Sequence, residues 1–183
     1  MRRFSLRLST SSCRHSGFQI SKRGAARGRV ASLVGAEPRN VIFTSGGTEA
    51  NVTALSPLNV DQETPGAVLC FMSEIEHPSV LASGRFVANA IRLIGATGDG
   101  IIDVAALERG IDALQGQENA PFMVSVMRAN NETGALQPVA QIAEIVRARG
   151  GILHCDGVQA AGKMPLDIAE TGAHMLSLSA HKI

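Results

Sequence analysis

The chain has no tryptophan and no tyrosine, and its aromatic content is six phenylalanines. That removes most stacking partners for nucleobases. Basic charge is also missing from the body: residues 31–183 carry nine Lys or Arg against sixteen Asp or Glu, a net −7. A nucleic-acid partner would need a basic face and stacking rings, so none is expected. No apolar run approaches the roughly 20 residues that span a bilayer, so no membrane segment is expected. Cysteine is scarce and odd in number: Cys13, Cys70 and Cys155, without C-x-x-C spacing. This excludes a disulfide framework or zinc cluster by pattern. Cys70 and Cys155 lie inside apolar runs, where a thiol acts as a small hydrophobe, and a reducing cytoplasm is the default setting.

What is present suffices for a core. The 183 residues are 45% hydrophobic and 18% charged, which predicts one globular domain. Residues 1–30 hold eight Arg or Lys and no acid. Within them, residues 1–23 carry Arg2, Arg3, Arg7 and Arg14 among many serines, and are expected to form a basic, disordered leader. The alternative is an organellar transit peptide, which would replace the cytoplasmic assignment.

Residues 24–183 alternate apolar runs with helical patterns. A helix is predicted from Arg23 to Val34, stopped by Gly35. Val41 to Thr44 reads as a buried strand, then a turn over Ser45 to Glu49 and a helix from Ala50 to Leu55. Pro57 to Gly66 reads as loop. Further strands are predicted at Ala67 to Met72, Ala90 to Ile94, Phe122 to Met127, Ile152 to Cys155 and Met175 to Leu178. Asp103 is placed to cap a helix with Val104, Leu107, Ile111 and Leu114 on one stripe. Another helix follows Pro138, with Val139, Ile142, Ala143 and Val146 inward and Gly150-Gly151 as its stop. Such alternation predicts an α/β fold, a mostly parallel sheet sandwiched by helices.

In parallel sheets, ligands sit beyond the carboxyl ends of the strands, where helix amino termini aim free N–H groups into a crevice. The unusual polar residues fall at that edge. Gly46-Gly47-Thr48 can let backbone approach an anion at a helix start, although an ordinary strand-to-helix turn has the same composition. His77 before Pro78 can stack on a planar ring, shuttle protons or face solvent. Asp156 ends a four-residue apolar strand and needs a partner if buried. Asn130-Asn131 offers amide donors, and Gln159 projects from the turn after Asp156. His154 and Asp156 share a strand face, but no third metal ligand has defined spacing, so no metal is assigned. Lys182, after the apolar run Ala173 to Leu178 and Ser179-Ala180-His181, is either a solvated lysine or a desolvated amine able to form a Schiff base with an aldehyde.

Five strings in order, VIFTSGGTEAN, SEIEHPSV, VMRANNETGALQPV, HCDGVQAAGKMPLD and SLSAHK, resemble the class V aminotransferase family of pyridoxal-phosphate enzymes, most closely its cysteine desulfurases. The resemblance spans about residues 24–183 and implies the large cofactor-binding domain of fold type I transferases, present in part. It implies that Gly47 and Thr48, joined by Ser179 and His181, cradle the phosphate of pyridoxal 5'-phosphate. His77 would stack on the ring, Asp156 would hold its nitrogen protonated, and Asn131 and Gln159 would bond its phenolic oxygen. Lys182 would be the lysine that joins the cofactor and later moves protons.

The implied activity is sulfur removal from L-cysteine to give L-alanine, with transfer to an acceptor protein, in a homodimer serving iron–sulfur cluster assembly. Within the family, a desulfurase and a selenocysteine lyase are not told apart without the loop that bears the persulfide cysteine. Residues 1–23 do not resemble the family's opening segment, and the chain stops one residue after Lys182. The family's substrate-carboxylate arginine, small domain and persulfide cysteine lie beyond that point, and none of Cys13, Cys70 or Cys155 matches that cysteine. A second expectation is therefore a non-catalytic chain that binds cofactor or a partner without turnover.

Overall fold

The computed structural model describes residues 17–57, 69–82, 84–114 and 121–183, with side chains from residue 22. Residues 1–16 of the expected leader, and residues 58–66 of the expected loop, lie outside the described residues.

Among the described residues, five strands form one parallel sheet in the order β2-β1-β3-β4-β5, with β1 at Leu69–Ser73, β2 at Ile91–Ile94, β3 at Phe122–Met127, β4 at Ile152–Asp156 and β5 at Met175–Ser177. The registers pair Met72 with Leu93 and Ser125, and Met127 with Asp156. Asp156 pairs in turn with Ser177. Because neighbouring side chains on a strand point to opposite faces, each strand feeds two cores.

On one face Phe71, Phe122, Val124, Val126, Leu153 and Cys155 pack against α4 (Val104–Asp112) and α5 (Val139–Ala148). The rings of Phe71 and Phe122 meet edge to face at 6.0 Å, a geometry that adds to the burial of area. The other face carries Cys70, Met72 and Met123 beneath Leu55, at the end of α2 (Gly47–Ala54), and Val80 of α3 (Pro78–Leu81). All six residues of β3, the central strand, are buried, which explains its unbroken apolar run.

The helices follow the predicted chemistry. Asp103 caps α4 by accepting from the Ala106 N–H at 2.8 Å, and Leu107 and Ile111 are its buried stripe. In α5 the buried residues are Val139, Ile142, Ala143 and Val146. That helix stops where Gly150 takes φ 72°, a left-handed conformation that costs a side-chain-bearing residue free energy. The first helix, α1, runs Gly17–Leu33. It begins six residues before the expected start and takes in residues 17–23.

One expected strand is corrected. Val41 to Thr44 is extended but joins no ladder among the described residues, and Ile42 and Phe43 are 51% and 49% exposed rather than buried. An apolar run specifies surface that would gain from cover; a strand also needs a neighbour for its N–H and C=O groups. Here the Val41 carbonyl accepts from Arg27 Nε at 3.1 Å, and the Arg27 guanidinium lies 5.4 Å from the centre of the Phe43 ring.

Candidate active site

Strand order reverses between β1 and β3, and in doubly wound sheets the crevice opens at that switch point, outside the carboxyl ends. A cavity of about 240 Å³ lies there, lined by Glu74, Glu76 and Pro78 after β1 and by Asn130, Asn131 and Thr133 after β3. Asn130 ties the two loops, its Nδ2 donating to the Ile75 carbonyl at 2.9 Å while its Oδ1 accepts from the Glu132 and Thr133 N–H groups. Asn131, next in the chain, is exposed at the cavity.

The turn before α2 is built for close approach. Gly46 has no side chain to cap the helix, so the N–H groups of its first turn are left for another acceptor. A Cβ placed on Gly47 would come 3.3 Å from Ser179 Cβ and 3.4 Å from Val158 Cγ2. Thus the Gly47 turn, the turn after β4 and the segment after β5 meet. Ser179 is buried, and its hydroxyl contacts His181 Nδ1 at 2.8 Å. Thr48 is exposed at the start of α2.

Asp156, at the end of β4, is 5% exposed. Its Oδ1 accepts from the Val158 N–H at 2.9 Å and its Oδ2 from Asn51 Nδ2 at 2.8 Å. The second Nδ2 hydrogen of Asn51 goes to Ser79 Oγ at 2.9 Å, and Ser79 Oγ lies 2.8 Å from His77 Nδ1. His77 itself is exposed and caps α3, its Nδ1 accepting from the Ser79 N–H at 3.1 Å. Behind Asp156, buried His154 bridges three strands: Nδ1 lies 2.9 Å from Ser125 Oγ and Nε2 2.9 Å from Ser177 Oγ. With both ring nitrogens engaged by hydroxyls, His154 is not disposed to bind a metal with Asp156. Burial pushes its pKa down to about 4 despite the Asp156 charge, so the ring is neutral.

Glu76 is 4% exposed, one oxygen accepting from the Met127 N–H at 2.6 Å and the other buried without a partner among the described residues. Desolvation raises its pKa well above the carboxylate range, and the neighbouring Asp156 adds to the rise. Cys70 and Cys155 are also buried, and desolvation pushes the Cys70 thiol up to about 12 and the Cys155 thiol higher still. Neither is a thiolate nucleophile.

The structure therefore gathers Gly47, Ser179 and His181 into one contact chain, and Asp156 and His77 into another, with Asn131 at the adjoining cavity. Two residues stand apart in their contacts. Gln159 Oε1 accepts from Lys163 Nζ at 3.0 Å. Lys182 follows His181 in the closing 3₁₀ turn, its amide donating to the Ser179 carbonyl at 3.1 Å, and its side chain is exposed. Sequence reasoning missed Asn51, Ser79 and Glu76. Asn51 stands among other polar residues of α2, Thr48, Glu49 and Thr53, so nothing in the local pattern singles it out.

A parallel sheet whose switch point and strand ends bring together an uncapped helix start, a buried acid and a capping histidine defines an α/β protein with its polar groups gathered at the carboxyl edge. The chain belongs to the class-V aminotransferase family, whose sequence pattern matches residues 8–183; this is a family of pyridoxal-phosphate-dependent enzymes. It is 35% identical over 161 residues to the cysteine desulfurase IscS of Proteus mirabilis and 36% identical over 162 residues to that of Escherichia coli K12. Each match covers 86% of this chain and 38% of the relative. A NifS-like protein from Rickettsia africae superposes with a TM-score of 0.78 at 30% identity, over 94% of this chain and 46% of the other. The chain thus spans 38% of the length of these two desulfurases and 46% of the NifS-like chain.

Proposed function

We propose that this chain is the cofactor-binding part of a pyridoxal-phosphate-dependent cysteine desulfurase, which converts L-cysteine to L-alanine and passes the sulfur to an acceptor. The observation that carries the reading is the meeting of the Gly47 turn with Ser179 beside a strand end bearing buried Asp156. Three features fit the cofactor. Gly47 leaves room where any Cβ would crowd Ser179 and Val158. The uncapped start of α2, Ser179 and His181 offer N–H and O–H donors to a phosphate. Asp156, already accepting two hydrogen bonds, is the acceptor that a pyridinium N–H requires.

When bound, pyridoxal phosphate withdraws electrons from the substrate carbon. The chain's own residues bind and orient. Gly47, Thr48, Ser179 and His181 would hold the phosphate, and Asp156 the ring nitrogen. His77 would cover one ring face, and Asn131 and Gln159 would face the phenolic oxygen once Gln159 exchanges Lys163 for it. Lys182 would supply the anchoring amine and move a proton at the substrate carbon. L-cysteine as substrate is part of the same proposal, supported by the relatives' names; a sulfur-acceptor protein, a homodimeric state and a cytoplasmic location join it as what the family resemblance implies.

A specific observation supports a second reading for the residues in hand. Among the described residues the cysteines, Cys70 and Cys155, are buried with raised pKa values, so neither is fit to take up sulfur, which favours cofactor binding without turnover by these residues. One experiment tests the cofactor claim. After incubation with pyridoxal phosphate and borohydride reduction, the label is expected on Lys182. A tag elsewhere, or none, counts against the assignment. A cysteine-dependent sulfide assay then separates enzyme from binder, and selenocysteine in place of cysteine separates a desulfurase from a lyase.

A further inference from the structure

Two buried side chains link Asp156 to His77, and their hydrogen count leaves one arrangement. Asn51 is 1% exposed. Its amide nitrogen faces Asp156 Oδ2, an acceptor, so both Nδ2 hydrogens are spent, one on Asp156 at 2.8 Å and one on Ser79 Oγ at 2.9 Å. Ser79 Oγ, accepting from Asn51, has its single hydrogen free for His77 Nδ1 at 2.8 Å. The Ser79 backbone N–H points at the same Nδ1 from 3.1 Å. Two donors converging on one nitrogen require a lone pair there. In the neutral ring the hydrogen must then sit on Nε2.

We infer that Asn51 and Ser79 are positioning residues that carry the fixed orientation of Asp156 to His77, holding its imidazole as the Nε2–H tautomer so that it meets the bound cofactor and substrate as a proton donor rather than a base. The donor role rests on the cofactor reading; the tautomer does not. The relay joins residues from α2, α3 and β4, so the acid that would hold the ring nitrogen and the histidine that would cover a ring face are set by one chain of hydrogen bonds. It also accounts for a polar Asn51 buried at the sheet face, whose two Nδ2 hydrogens it uses while Oδ1 has no partner among the described residues.

The test is long-range ¹H–¹⁵N spectroscopy of histidine-labelled full-length protein, with and without pyridoxal phosphate. Wild-type His77 is expected as Nε2–H in both. Ser79→Ala and Asn51→Ala are expected to give a tautomer mixture, and Ser79→Thr to restore the single form. In cysteine turnover, Ser79→Ala is expected to lower kcat about tenfold or more, with KM changed less and Ser79→Thr recovering most of it, since positioned proton transfer contributes on the order of 10²–10⁴. An Nδ1–H signal in the wild type, or a tautomer unmoved by both alanine variants, overturns the inference. Should the alanine variants fail to fold, Ser79→Cys, which nearly keeps the volume and weakens the donor, is expected to give the mixture, and a single Nε2–H form there overturns the inference. A wild type that shows Nε2–H but takes up no pyridoxal phosphate sinks the cofactor reading and leaves the relay standing.

Discussion

His154 and Glu76 are two buried titrating groups near the carboxyl edge of the sheet, and the direction of each shift sets how stability responds to pH. Burial lowers the pKa of His154 from 6.5 to about 4, so between these values the unfolded chain binds the extra proton and the folded chain does not. Its contribution is complete above pH 6.5 and lost as pH falls toward 4, by up to about 3 kcal/mol. Urea melts across pH 4–7 are expected to show that loss, and His154→Gln to flatten it while costing about 1–3 kcal/mol at pH 7 through an orphaned serine. Glu76 works the other way. With its folded pKa raised well above 4.5, the group favours the folded state only at low pH and penalises it as pH rises. Glu76→Gln keeps an acceptor for the Met127 N–H and removes the ionisation, so its melting temperature at pH 8 is expected to exceed that of the wild type. A lower value there would show that the carboxyl serves another partner. Asp156→Asn removes the charge that two donors address and is expected to weaken pyridoxal phosphate binding roughly 10- to 100-fold in equilibrium titration, the loss of a charge-assisted bond of about 1.5–3 kcal/mol.

At the scale of elements, α4 illustrates how a start signal and an apolar stripe cooperate. Asp103 satisfies the Ala106 N–H, and four residues on Leu107 is fully buried between α4 and the sheet. Asp103→Ala is expected to cost about 1 kcal/mol in chemical denaturation, with Asp103→Ser recovering most of it. Leu107→Ala is expected to cost about 2–5 kcal/mol, because the surrounding Phe71, Ile111 and Val124 pack around a cavity they can only partly close. The segment from Val41 to Thr44 shows the opposite case: apolar enough for a strand, yet held by one side chain, Arg27, instead of a ladder.

For the molecule as a whole, the two faces of the sheet divide the labour. The α4 and α5 face is dry and apolar, whereas the α2 and α3 face becomes polar toward the carboxyl edge, through Ser125, His154, Ser177 and Asp156. Apolar side chains also remain uncovered, among them Ile42, Phe43, Val87, Leu93 and Leu136. Exposed apolar surface drives association, so the 183-residue chain is expected to self-associate at micromolar concentration in sedimentation velocity. The double change Ile42→Thr with Phe43→Ser is expected to reduce that association without lowering the melting temperature, since neither side chain is in the core. A monomeric wild type that melts cooperatively would contradict this.

Sequence alone determined those features that depend on neighbours along the chain. The apolar run Phe122 to Met127 became β3 with the same ends, the cap at Asp103 and the stripe of α4 followed from local spacing, and the stop at Gly150 from its freedom to adopt positive φ. The five family strings named the candidate site residues for the same reason, since each is a short stretch whose residue types carry the signal. Tertiary structure decided what needed distant partners. Whether Val41 to Thr44 would find a ladder depended on which strand lay beside it. Asn51, Ser79 and Asp156 became one relay because parallel registers bring the ends of β1 and β4 level beneath α2. A hydrogen bond between residues far apart in the chain leaves no local pattern, because its geometry exists only once the sheet that aligns its ends has formed.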